Sequence, residues 1–100
     1  MNLLTGSQRE FLRSKAHHLK PLVFIGHQGV TESVIAAVEE NLLAHELIKV
    51  KFNDLKDQKR PLSEEIADKT KSELVGMVGN IATFYRQHPE SDKRRIDLPA

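Results

Sequence analysis

Residues 21–33 read PLVFIGHQGVTES. The apolar run between Pro21 and Gly26 is rich in strand formers and reads as a short buried strand. The two glycines of GHQG allow the backbone to turn sharply. Thr31 then supplies an N-cap hydroxyl, and Glu32 sits in the first helical turn where a carboxylate meets the positive dipole end. Val34, Ile35, Val38 and Leu42 line one face of the helix that follows, which is expected to end near His45. Beyond it, LIKVKFN (47–53) alternates, placing Ile48, Val50 and Phe52 on one face and Lys49 and Lys51 on the other. The result is strand, helix, strand, a unit that favours parallel pairing through a right-handed crossover.

Working outward, Thr5 and Gln8 have the spacing of a capping box and open a helix over about Gly6–His18. Its apolar positions are Phe11, Leu12, Ala16 and Leu19, while Arg9, Arg13 and His17 recur every fourth residue on another face. Downstream, DLKDQKRP (54–61) is polar and reads as a loop, after which Ser63 is expected to cap a third helix with Ile66, Ala67 and Thr70 facing inward. ELVGMV and IATFYRQ are strand-like, and the Gly79-Asn80 pair between them suits a tight hairpin turn. The end, HPESDKRRIDLPA, reads as a turn-rich tail with a short extended piece at Arg95–Leu98. The expected fold is therefore an α/β (α+β) two-layer sandwich over a single domain, 1–100, in which an N-terminal helix precedes a βαβαββ core with a mixed four-stranded sheet.

The 100 residues are 39% apolar and 29% charged, enough for one modest core. No cysteine is present, so disulfides and thiolate metal sites are excluded and a reducing compartment fits. No apolar run approaches spanning length and the first residues lack a signal-peptide core, so a cytoplasmic location is expected. Net charge is only +1, but it is segregated. Arg9, Arg13, Lys15 and Lys20 face one acid before residue 29, whereas residues 29–48 hold Glu32, Glu39, Glu40 and Glu46 and no Lys or Arg. Such a chain can present one basic face despite a near-neutral total.

Catalytic motifs are missing: no G-x-S-x-G elbow, no Walker-type lysine and no H-E-x-x-H. His17, His18, His27, His45 and His88 form no chelating pair at helical or strand spacing, so neither enzyme activity, nor a cofactor, nor a metal is expected. The GHQG loop is the candidate site. Its glycines permit close approach of a ligand, and the helix behind it offers unpaired N–H groups suited to phosphate. On local geometry alone, the glycines could equally make no more than a tight strand-to-helix turn. Tyr85 could stack a base and Arg86 could meet phosphate, or the tyrosine could be half core and half surface.

The block LTGSQREFLRSKAHHLKPLVFIGHQGVTESVIAAVEENLLAHELIKVK, together with VGNIATFYR, resembles the CRM (chloroplast RNA splicing and ribosome maturation) domain in its free-standing bacterial form, the YhbY family. The resemblance implies a fold like the C-terminal domain of translation initiation factor 3 and non-catalytic RNA binding through a G-x-x-G loop like that of KH domains. The implied partner is ribosomal RNA in precursors of the large subunit. A protein-interaction module on assembling ribosomes is the alternative reading, and a monomer is expected. The candidate RNA-binding residues are Gly26, His27, Gln28, Gly29 and Thr31 at the loop, Arg9, Arg13, Lys15 and Lys20 upstream, and Tyr85 and Arg86 at the last strand. Here His27 and Gln28 stand where many relatives have basic or small residues.

Overall fold

A computed structural model describes residues 4–100. Helix α1 (Gly6–Ala16) opens with the expected capping box: Thr5 Oγ1 accepts from the Gln8 N–H and Gln8 Oε1 accepts from the Thr5 N–H. Strand β1 (Val23–Ile25) follows, then α2 (Glu32–His45), with Thr31 Oγ1 accepting from the Val34 N–H at 3.1 Å. Strand β2 (Leu47–Phe52) leaves α2 after one residue, Glu46, whose φ of +66° turns the chain. A 3₁₀ turn (Lys56–Gln58) leads into α3 (Lys59–Thr70), and β3 (Glu73–Val78) and β4 (Ile81–Tyr85) form the hairpin.

The sheet order is β1-β2-β4-β3, with β1 parallel to β2 and the other pairs antiparallel. Gly79 takes the positive φ of the hairpin turn, +58°, and the Lys59 ammonium donates to its carbonyl. A bulge between Leu74 and Gly76 lets two β3 residues oppose one on β4.

The third helix starts four residues before Ser63. Pro61 is its third residue, a place where the missing N–H has no intrahelical partner to lose. Ser63 is thus no cap: it is fully buried on the inner face, its hydroxyl without a hydrogen-bond partner. The short apolar run PLVFI is not buried throughout either. β1 is an edge strand whose Val23 and Ile25 enter the core while Phe24 is 52% exposed and Leu22, just before it, 47%.

Two clusters share the sheet. Under α2 and α3, Ile25, Val38, Leu42, Val50, Phe52, Ile66 and Phe84 make the main core. On the opposite face, Leu12 and Ala16 of α1 pack with Leu47, Val75, Tyr85 and Ile96, so the N-terminal helix adds a partial layer to the core sandwich. Leu19, expected on the buried stripe of α1, lies past its end and is 39% exposed. The tail returns to this layer. Its 95–98 segment pairs with no strand among the described residues; instead Glu46, wholly buried, accepts from the backbone N–H groups of His88, Arg95 and Ile96 at 2.6, 2.6 and 3.0 Å.

Candidate functional site

Three loops meet at one end of the sheet. GHQG leaves β1 there, and the turn after β2 is bound to it, because the Asn53 and Asp54 N–H groups both donate to the Ile25 carbonyl. The hairpin arrives beside them through the Phe52 N–H, which donates to Asn80 O at 2.8 Å.

Within GHQG the two glycines do different jobs. Gly29 is buried, its N–H donates to Gly26 O, and its φ of +73° belongs to the left-handed region; a Cβ there would lie 3.3 Å from Leu55 Cδ1. The fold therefore favours glycine at 29, where any side chain would be strained. Gly26 is exposed, has no such φ, and a Cβ on it would meet nothing within 4 Å. The fold is indifferent to a side chain at 26, yet the site has none, which leaves the backbone open to close approach. His27 and Gln28 are exposed between them. Thr31 is occupied as the cap of α2, where it takes the Val34 N–H and leaves the earlier first-turn N–H groups without an intrahelical partner, and Glu32 in that turn offsets part of the helix dipole.

The upstream cations divide. Arg9 is committed to the sheet edge, donating to Leu74 O at 2.9 Å and pairing with Glu73 at 2.7 Å. Arg13 donates to Val75 O and its methylenes lie over Gly76, but it keeps an exposed surface. Lys15 and Lys20 are exposed at the other end of the sheet, on the rim of a cleft of about 400 Å³ with Leu19, Leu22, His45 and Ile96. From Phe52 back to Leu47 the strand rise separates this cleft from GHQG by about 17 Å.

Tyr85 and Arg86 do not join the site. Tyr85 is 3% exposed and sits in the α1-side core, so its ring has no free face to stack on. The Arg86 guanidinium is held by both Glu39 carboxylate oxygens and by Thr70 O, on the acidic α2 side. A strand-end tyrosine looks the same in sequence whether its last turn of chain is open or covered; here Ile96 and α1 cover it.

Burial pushes the Tyr85 phenol up to about 12, the Glu46 carboxylate adds to the rise and Arg94 opposes it. The folded state thus holds this proton more tightly than the unfolded chain, with its ordinary value of 10.0. The contribution of this group to stability is fully kept below pH 10 and is expected to fall as the pH climbs from 10 towards 12, by up to about 1.4 kcal/mol per unit. Denaturant unfolding across that range should show the slope in the parent protein and lose it in Tyr85→Phe. Because the hydroxyl has no partner, that variant should cost under about 1 kcal/mol at neutral pH.

Sequence reasoning passed over Phe24. A continuous apolar run of this length gives no period from which one exposed member can be picked out, and only the edge position of β1 reveals it.

Comparison with known proteins bears on the whole arrangement. The CRS1 / YhbY (CRM) domain matches residues 4–86. The chain is 39% identical over 98 residues to "Probable RNA-binding protein YqeI" of Bacillus subtilis, covering 97% of this chain and 100% of that one. It is 39% identical over 100 residues to an "RNA-binding protein" of Haemophilus influenzae, covering 99% and 98%. Among solved structures it is similar to the hypothetical protein SAV1595 of Staphylococcus aureus, with TM-score 0.79 and 37% identity over 97% of this chain and all of the other.

Proposed function

Since the chain belongs to the CRS1 / YhbY (CRM) domain family, we propose that it is a non-catalytic RNA-binding protein whose GHQG loop grips the RNA backbone. The observation that carries this reading is Gly26: bare, exposed backbone at a position where the fold would accept a side chain, next to the unpaired N–H groups of α2. Backbone N–H groups can hold one or two phosphates there. Glu32 weakens that site, so cations must supply the rest of the affinity. Of the four upstream cations, Arg13, Lys15 and Lys20 are exposed and form no ion pair among the described residues, with His27 and Gln28 as direct loop contacts; Arg9 acts by holding α1 to β3.

The family resemblance extends the proposal to ribosomal RNA in precursors of the large subunit, bound by a cytoplasmic monomer that assists assembly. Binding through phosphate contacts releases counterions, so affinity should fall steeply with salt. With three or four contacts the log–log slope is expected near −3, from about −0.9 per contact on a duplex and about −0.7 on a single strand. A fluorescence-anisotropy titration at several salt concentrations measures this directly; a flat response contradicts the reading. Co-sedimentation of the protein with large-subunit precursors, and its loss in the Lys15→Glu, Lys20→Glu double variant, tests the assembly role.

A further inference from the structure

We infer that the uncovered part of the sheet, on the α1 side, is a stacking platform for unpaired RNA bases centred on the Phe24 ring; the inference rests on the reading that GHQG holds the backbone. The register places Phe24 beside Lys51, Lys51 beside Ile81 and Ile81 beside Val78, one row across all four strands. At the spacing of neighbouring strands the row is about 14 Å long. Phe24 is 52% and Val78 81% exposed, and Phe24 stands two residues before Gly26, which puts the ring within reach of a strand gripped at the loop.

The charge on this face selects the occupant. The next row carries Lys49 and Thr83, and no acidic residue stands at the outward positions of either row. Neither Lys49 nor Lys51 forms an ion pair among the described residues. A protein partner, or a second copy of this chain, covering Phe24 and Val78 would bury two lysines that need carboxylates at their centre. A single-stranded nucleic acid meets both demands at once: its bases offer flat π surface to the ring and its phosphates neutralise the ammonium groups. A fully paired helix cannot do so, because its bases stay inside the stack.

The protein has no tryptophan, so Phe24→Trp installs a single reporter at the platform. Its emission is expected to be quenched when a short unstructured oligouridylate is added, and to stay unchanged with a perfectly paired RNA hairpin. Phe24→Ala, an exposed position whose loss leaves the core intact, should weaken oligouridylate binding about tenfold or more, with Phe24→Tyr near the parent. The salt slope should be unaltered in Phe24→Ala and shallower in Lys51→Gln.

Three patterns overturn the platform. If Phe24→Ala binds as the parent does while Gly26→Asp does not, the loop reading stands and the platform falls; if both bind as the parent does, the loop reading falls with it. If the parent sediments as a dimer and Phe24→Ala as a monomer, this face is covered by a second copy instead of RNA.

Discussion

Gly26→Asp is expected to reduce RNA affinity about a hundredfold, or about 3 kcal/mol, while leaving thermal stability within a degree or two of the parent. The carboxylate would stand where a phosphate must approach, both filling the space and repelling the charge. Stability is spared because nothing surrounds the position and its backbone angle suits any residue. Gly26→Ala separates the two effects: it restricts the unfolded chain, adding up to about 1 kcal/mol of stability, and still obstructs the backbone. Gly29 is a poorer test position. Its φ of +73° and the nearby Leu55 make any substitution strain the loop, so lost binding there would not distinguish contact from misfolding. Anisotropy binding and a thermal melt on the Gly26 variants decide the matter, and full RNA affinity in Gly26→Asp would remove the loop from the interface.

Glu46→Ala is expected to cost about 3–5 kcal/mol, because three backbone N–H groups, two of them in buried bonds, lose their acceptor at roughly 1–3 kcal/mol each and the freed tail recovers only part from water. That is a large share of the 5–15 kcal/mol typical of a domain. The same loss should detach residues 87–100, uncovering Tyr85 and Leu12 where Ile96 now packs. Glu46→Gln should fall between, since its amide keeps one accepting oxygen but turns an NH₂ towards another donor. Urea unfolding gives the magnitude, and limited proteolysis shows the tail released before the remainder unfolds. A cost below about 1 kcal/mol, with the tail still protected, would mean that the carboxylate does not anchor it.

These expectations also mark where sequence reading ends. The capping box of Thr5 and Gln8, the Thr31 cap, the Gly79 turn and the alternation of LIKVKF all rest on contacts within a few residues, and each appears in the structure as read. What escaped depends on distant chain. Ser63 looked like a cap because the helix start is hidden in a polar run with Pro61, and burial by the core, not local chemistry, fixes its place. In sequence Tyr85 reads either as a base-stacking ring or as half core and half surface, and α1 and Ile96 close over it. Glu46 reads as one more acid at a helix end, and its partners lie more than forty residues away. At the site, the glycines were legible, but their division of labour was not, since only the space around each one separates the residue the fold needs from the one it leaves open.

Whether RNA is held at GHQG and along the α1 side of the sheet is decided by following backbone amide resonances of the intact protein during titration with an unstructured oligoribonucleotide. The largest shifts are expected at Gly26–Ser33, with further changes at Phe24, Lys49 and Lys51 and little change over Glu39, Glu40 and Arg86. Shifts confined to the α2–α3 face, with the loop amides unmoved, would contradict it.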